Sequence, residues 1–156
     1  MKIKKGEMAT DFSLPNQNGD IITLSKLKGS NVLIYFYPKD STPGCTKEAC
    51  SFRDIYSDIK AKDTIILGIS ADSAKSHTNF IEKHNLPFDL LTDSDKSIIE
   101  LYGALGIKKL FGRTYKGILR NSVLIDKKGQ VVEYWEKVNP LRHSNDVLET
   151  LSKLNQ

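Results

Sequence analysis

The chain has 156 residues, of which 39% are apolar and 27% are charged, with a formal net charge of +4. These values are ordinary for one globular domain, expected over residues 1–156, and so mild a positive charge does not indicate a nucleic-acid partner. No apolar run could span a bilayer and the first eight residues lack a secretory apolar core, so we expect a cytoplasmic protein with no membrane partner.

A β-hairpin is predicted at the start of the chain. Strand-like segments at 12–14 and 21–24 flank a turn that contains Asn18-Gly19. The next strand, predicted at 31–37, contains a continuous apolar run, which is typical of a central strand buried on both faces.

The segment 37–50 connects this strand to a predicted helix and contains both cysteines. Apolar side chains recur at spacings of three and four from Ala49 to Ile59, which predicts a helix ending near residues 62–63. Cys45 lies where this helix begins. Free backbone N–H groups and the positive end of the helix dipole favour an anion there, and the thiolate is the nucleophilic form of cysteine.

The rest of the chain alternates strands and helices. In order, we predict a buried strand at 64–70, a helix at 73–85, a strand at 88–91, a helix through Ile98 and Tyr102, a glycine-rich loop at 103–117, a hairpin of strands at 121–126 and 130–138, and a last helix with Ser144 as its N-cap. This order predicts an α/β fold of the thioredoxin-like type, with a mixed central sheet flanked by helices and an N-terminal β-hairpin extension.

The spacing of the two cysteines restricts their chemistry. A buried, inert thiol is the usual state of a free cysteine, but Pro43 and Gly44 stiffen and open the backbone before Cys45. In an ideal helix the Cα atoms of Cys45 and Cys50 lie about 8.6 Å apart. A disulfide needs less than about 7 Å, so joining them requires the helix to unwind. Four intervening residues also exclude a Cys-x-x-Cys exchange motif.

The other polar candidates have simple alternative explanations. Thr42 is either a turn-forming hydroxyl or a hydrogen-bond partner of the thiolate and a substrate oxygen, and Arg120 by itself is a surface charge. His77 and His84 are about 10 Å apart along one predicted helix, too far to share an ion. Both are expected to pack at the edge of the core, and His143 has no evident partner. We therefore predict no metal and no cofactor.

The pattern Pro38-x-x-x-Thr42-x-x-Cys45 is similar to the active-site motif of peroxiredoxins. The longer segment from Tyr35 to Cys50 resembles the bacterioferritin-comigratory (Q-type) subgroup, and residues 11–15, 67–70 and 120–126 extend the likeness over nearly the whole chain. One departure is Asn121-Ser122, where the family more usually has a small hydroxyl residue followed by Thr or Ser.

This resemblance implies a thiol-dependent peroxidase that reduces hydrogen peroxide and organic hydroperoxides. It implies that Cys45 is the peroxidatic cysteine, which becomes a sulfenic acid, and that Cys50 is the resolving cysteine, which forms a disulfide with it. Thr42 and Arg120 would activate the site and, with the backbone at Gly44 and Cys45, bind the peroxide, while Pro38 would shield it. A thioredoxin or similar dithiol would reduce the disulfide, and a monomer would suffice.

Two other functions remain open from the residues alone. A protein thiol–disulfide oxidoreductase would suit the fold and would reduce disulfides without peroxide. A non-enzymatic redox sensor would oxidise stoichiometrically and would not turn over with a reductant.

Overall fold

The computed structural model describes residues 3–154, so the two residues at each end of the predicted domain lie outside the described residues. The strands are β1 (Ser13–Pro15), β2 (Ile21–Thr23), β3 (Asn31–Phe36), β4 (Thr64–Ser70), β5 (Asp89–Thr92), β6 (Leu105–Leu110), β7 (Arg113–Ile118), β8 (Ser122–Ile125) and β9 (Val131–Trp135). The helices are α1 (Pro43–Asp54), α2 (Tyr56–Lys60), α3 (Ala74–His84), α4 (Ser97–Leu101) and α5 (His143–Leu154), with a 3₁₀ turn at Leu24–Leu27.

Five strands form the central sheet in the order β5-β4-β3-β8-β9. Strands β3, β4 and β5 are parallel, whereas β8 runs antiparallel to β3 and β9 antiparallel to β8. All six residues of β3 are buried. The prediction of a central strand buried on both faces is therefore confirmed, because β3 has neighbours on both edges and side chains packed on both faces.

Two apolar cores cover the two faces of this sheet. Helices α1, α2, α3 and α5 pack on one face, and α4 with the N-terminal hairpin packs on the other. The first core contains Phe52, Ile59, Phe80 and Leu151 together with Cys45. The predicted thioredoxin-like fold, with a mixed sheet, flanking helices and an N-terminal hairpin, is confirmed.

The prediction of a loop at 103–117 is wrong. This segment contains a regular β-hairpin in which β6 and β7 pair antiparallel from Leu105–Ile118 to Leu110–Arg113. Both turn residues, Phe111 and Gly112, have positive φ angles of 51° and 76°, as a tight two-residue hairpin turn requires. Most of its side chains are exposed, so the sequence lacks the apolar alternation of a half-buried strand.

Two predicted helix boundaries are also wrong. The helix that contains Cys45 ends at Asp54, and Ile55, with φ −110° and ψ 14°, separates it from α2. The apolar periodicity continues across this break because Ile59 still faces the core. The last helix begins at His143, so Ser144 lies inside its first turn, where its hydroxyl contacts that of Ser51.

Among the described residues, no helix has both the length and the apolar character that crossing a membrane requires.

The ring of His143 is buried, and the nearest carboxylate within residues 3–154, Asp146 Oδ2, lies 4.0 Å from its Nδ1 atom. Its ring packs edge-on against Trp135 and Phe52, with centroid distances of 4.9 and 5.9 Å. Neither ring nitrogen has a hydrogen-bond partner among the described residues. Burial therefore favours the neutral ring and lowers the pKa of His143 to about 4.

We expect acid to destabilise the protein through His143. The unfolded chain, with an ordinary histidine pKa near 6.5, binds a proton more readily than the folded chain, so stability is lost as the pH falls from about 6.5 towards 4. Between pH 7 and pH 4.5 this amounts to about 2–3 kcal/mol. Urea unfolding of His143→Phe should show a correspondingly smaller loss. An equally steep loss in the variant would exclude His143 as the cause.

Candidate active site

Cys45 is the third residue of α1 and is only 1% exposed. Thr42 occupies the N-cap position, but its side chain makes no capping hydrogen bond and donates instead to the carbonyl oxygen of Lys39 at 2.8 Å. No acidic residue occupies the first turn. The positive end of the helix is thus left for the sulfur and any bound anion.

Arg120 reaches Cys45 from the connection between β7 and β8. Its Nη1 atom donates to the Cys45 Sγ atom at 3.2 Å, across 75 residues of sequence. The backbone carbonyl of Arg120 accepts from the Val138 N–H at 2.8 Å, which fixes the start of this side chain. Of the residues predicted for the site, the structure therefore brings Arg120 and Cys45 into direct contact.

Gly44 makes this contact possible. A Cβ atom at position 44 would lie 2.8 Å from Nη2 of Arg120, closer than real Cβ atoms approach other heavy atoms. The guanidinium would have to move away from the first turn of α1 if residue 44 had a side chain.

Asn121, the departure from the family motif, anchors the backbone next to Arg120. Its buried amide donates to the Gly103 carbonyl at 3.2 Å and to the Tyr134 hydroxyl at 2.9 Å, and it accepts from the Lys137 N–H at 2.9 Å. The sequence showed this residue as unusual but gave no signal of its partners, which lie after α4 and around the end of β9.

Glu48 is a site residue that the sequence analysis missed. It follows Cys45 by three residues on α1, is 1% exposed, and places Oε1 3.5 Å from Nη1 of Arg120. Burial raises the pKa of Glu48 to about 8, with Arg120 partly opposing the shift. The three-residue spacing from Cys45, which places both side chains on one helix face, was the available signal.

Cys50 lies on the same continuous helix as Cys45 and is half-buried, and both cysteines are free thiols. The next residues attach the second half of α1 to α5, because Ser51 contacts Ser144 and Phe52 packs against His143. A disulfide between the cysteines therefore requires α1 to unwind between them.

A buried hydrogen-bond network holds the loop that precedes Cys45. The Asp40 carboxylate accepts from Tyr37 Oη at 2.6 Å and lies 2.7 Å from Nδ1 of His77, whose Nε2 lies 3.1 Å from the Leu91 carbonyl oxygen. His77 is thus fully buried, and its prediction at the core edge is wrong because this network satisfies both ring nitrogens. His84 is half-buried against Phe80.

Asp40, Asp72 and His77 bring three potential metal ligands within 4.8 Å of one another. Asp72 already accepts hydrogen bonds from the Asp40 N–H and the Ser70 hydroxyl, both at 2.8 Å. Protein donors therefore occupy the ligand atoms, and the network is adequately explained as support for the loop.

The β6–β7 hairpin borders two clefts next to predicted site residues, which the sequence analysis also missed. Pro38 lines a cleft of about 420 Å³ and Arg120 lines a second cleft of about 450 Å³. Lys108 and Tyr115 line both. Burial and the nearby Arg120 lower the pKa of Lys108, whereas Cys45 acts in the opposite direction.

The domain has a thioredoxin-like fold, with a buried cysteine in the first turn of a helix and an arginine in contact with its sulfur. This arrangement is typical of a peroxiredoxin. The sequence profile described as the AhpC/TSA family matches residues 5–134, and the chain belongs to this family. Within it, the chain falls in the Bcp, or Q-type, group.

Relatives of this group align over nearly their whole length. The chain is 43% identical to peroxiredoxin Bcp of Bacillus subtilis, covering 100% of this chain and 99% of the relative. It is 40% identical to peroxiredoxin Bcp of Escherichia coli, covering 97% of each. A solved structure of the Xanthomonas campestris bacterioferritin comigratory protein, described for its alkyl peroxide reduction activity, superposes with a TM-score of 0.88 at 36% identity, covering 93% of this chain and 92% of the other.

We expect Asp40→Ala to destabilise the protein by about 3–5 kcal/mol, because it leaves Tyr37, His77 and the Ser76 hydroxyl without their buried acceptor. Chemical denaturation would measure the loss. Asp54→Ala is the matched control, since the Asp54 side chain is 65% exposed and its pair with Arg53 should contribute less than about 1 kcal/mol. Equal losses in both variants would contradict a supporting role for the network.

Proposed function

We propose that this chain is a thiol-dependent peroxidase that reduces hydrogen peroxide and organic hydroperoxides, with Cys45 as the peroxidatic cysteine and Cys50 as the resolving cysteine. The observation that carries the proposal is the 3.2 Å contact between Arg120 and the sulfur of a buried cysteine in the first turn of a helix. The alkyl peroxide activity of the Xanthomonas relative supports the substrate class.

In the first step the Cys45 thiolate attacks the terminal oxygen of the hydroperoxide. An S–O bond forms, the O–O bond breaks, and the departing oxygen takes a proton to leave as water or an alcohol. Cys45 becomes a sulfenic acid. Cys50 then attacks this sulfur, releasing water and forming the Cys45–Cys50 disulfide, which a thioredoxin or similar dithiol reduces by exchange.

The positions of the charges explain why Cys45 would react faster than an ordinary thiol. A more stable thiolate is also a weaker nucleophile, with a Brønsted slope of about 0.4–0.5, so ionisation cancels much of its own benefit. Orientation of the peroxide and stabilisation of the departing oxygen must supply the rest. We assign this role to Arg120, whose contact with the Cys45 sulfur supports it, and to the backbone at Gly44 and Cys45 in the first turn of α1. Thr42 would join them by rotating its hydroxyl away from Lys39.

The weak start of α1 supports the proposed unwinding. The missing cap at Thr42 leaves the first turn less stable than a capped one by about 1 kcal/mol, so it opens more readily when Cys50 must reach Cys45. Since both cysteines lie in one helix, a monomer would complete the cycle. Recycling by an external dithiol fits a reducing compartment such as the cytoplasm.

The proposal is tested by stopped-flow measurement of peroxide consumption with mass spectrometry of the product. Cys45→Ser should abolish consumption. Cys50→Ser should react once and stop as a sulfenic acid, gaining one oxygen in mass. Repeated rapid turnover of Cys50→Ser with thioredoxin as the sole reductant would show that Cys50 is not needed. Failure of the reduced wild-type protein to react with any hydroperoxide would refute the function.

Changes at the guanidinium should slow the first step selectively. We expect Arg120→Met to lower its second-order rate constant by about 10²–10³, the usual effect of one oriented donor. Gly44→Ala should also lower it, because the added methyl displaces Arg120 while leaving the charge in the protein. Thermal unfolding should change little for Gly44→Ala, since only a flexible side chain must move. Unchanged rate constants in both variants would remove Arg120 from the mechanism.

Glu48 should set an upper pH limit on the same step. Below pH 8 its carboxyl is largely neutral, and above that pH the carboxylate competes with the Cys45 thiolate for Arg120. The rate constant of the wild-type protein should therefore fall several-fold above about pH 8, whereas that of Glu48→Gln should not.

Stability gives a second test of Glu48. Because the folded pKa is raised from its unfolded value of about 4.5, stability is lost as the pH rises from about 4.5 towards 8. At pH 7, Glu48→Gln should be more stable than the wild-type protein by up to about 3 kcal/mol in urea unfolding. A destabilised Gln variant would contradict the neutral state of this carboxyl.

A further inference from the structure

The β6–β7 hairpin projects apolar side chains into solvent at its tip. Phe111 is 95% exposed, Ile107 is 70% exposed and Leu110 is 56% exposed. In the described chain, β6 and β7 pair only with each other, so the hairpin stands apart from the central sheet. Large apolar side chains exposed at the end of a projecting hairpin are able to enter a partner surface or a bilayer interface.

The same hairpin accounts for the whole net charge of the chain. Residues 107–116 include Lys108, Lys109, Arg113 and Lys116, and no acidic residue. The chain has 23 Lys and Arg against 19 Asp and Glu, so without these four cations 19 of each sign remain. Lys116 lies 3.9 Å from Glu100, with both side chains exposed, and the other three cations have no ion pair among the described residues.

We propose that the tip of this hairpin docks the protein on the surface of a bilayer that contains anionic lipid, and that hydroperoxides of that lipid are a substrate class of Cys45. The second part rests on the proposed peroxidase function, whereas the docking itself does not. The proposal departs from the expectation of no membrane partner. That expectation rested on the lack of a spanning segment, which peripheral docking does not need.

The shape of the tip favours lipid over a protein partner. Phe111 lies in the two-residue turn and Leu110 precedes it at the end of β6, with cations on both sides, so both can enter the interface while the cations contact headgroup phosphates. A stable protein interface needs a wide complementary surface of about 800 Å² on each partner. Each Lys or Arg near an anionic surface strengthens binding by about fivefold.

The hairpin shares clefts with two residues of the proposed site. Lys108 and Tyr115 line both the cleft with Pro38 and the cleft with Arg120. A docked hairpin would therefore hold both clefts close to the lipid. A lipid hydroperoxide would react as a small one does: the Cys45 sulfur takes the terminal oxygen, the O–O bond breaks, and the lipid alkoxide takes a proton to become an alcohol.

Docking is tested by co-sedimentation of the full chain with vesicles of phosphatidylglycerol and phosphatidylcholine. We expect binding to anionic vesicles that weakens with salt, and little binding to phosphatidylcholine alone.

Phe111→Ser should weaken binding to the anionic vesicles at least fivefold, and Lys109→Glu/Arg113→Glu should weaken it at least twentyfold. The matched controls, Ile21→Ser on β2 and Lys60→Glu/Lys128→Glu, should change it less than threefold, because Ile21 is 64% exposed and both lysines are exposed elsewhere. Equal losses in hairpin and control variants, or no binding by the wild-type protein, would overturn the proposal.

The substrate class is tested with phospholipid hydroperoxide in the same vesicles and hydrogen peroxide in solution. Phe111→Ser should lower the lipid hydroperoxide rate at least fivefold and leave the hydrogen peroxide rate unchanged. Equal lipid rates in the variant and the wild-type protein would overturn the substrate class.

A hairpin variant that binds vesicles normally but is reduced more slowly by thioredoxin would assign the surface to a protein partner instead. If the wild-type protein bound vesicles but did not reduce hydrogen peroxide, the peroxidase function alone would be refuted, since sedimentation does not depend on peroxidase activity.

Discussion

The contact between Arg120 and Cys45 is the constraint on which the arrangement of the site depends. Cys45 follows the C-terminal end of β3 on α1, and Arg120 precedes the N-terminal end of β8, which pairs antiparallel with β3. Antiparallel pairing brings the end of β3 and the beginning of β8 to the same end of the sheet. At that end, the Phe36 N–H donates to the Asn121 carbonyl at 2.8 Å. The sheet topology thus determines that a helix start and a cation meet there.

Some features of the site lower the free energy of unfolding of the protein. A buried carboxyl at Glu48 and an uncapped helix start at Thr42 each cost free energy that a purely structural core would avoid. The Asp40–His77 network and the anchor at Asn121 supply the surrounding rigidity. The groups proposed to react thus lie beside these unfavourable features, while the neighbouring segments are fixed by buried hydrogen bonds.

The regular parts of this fold could be predicted from sequence because their periodicity reflects burial. The run from Asn31 to Phe36 is apolar on both faces, and the structure buries both. The β6–β7 hairpin escaped prediction because it is stabilised by its turn and its own pairing, with few buried side chains to leave a pattern. Arg120 was found only through family resemblance. Nothing local in the sequence indicates its contact with Cys45, which is 75 residues away. Asp40 likewise pairs with His77, 37 residues away, and Asn121 with residues 13 to 18 positions away.

The break at Ile55 has a consequence for movement. Because α1 ends there, unwinding of its first turns would not be transmitted along a continuous helix to α2. Ile59 of α2 remains in the core. The half of α1 beyond Cys50 is itself clasped to α5. The break at Ile55 therefore separates the two helices, and the unwinding proposed for disulfide formation would be confined to a few residues of α1.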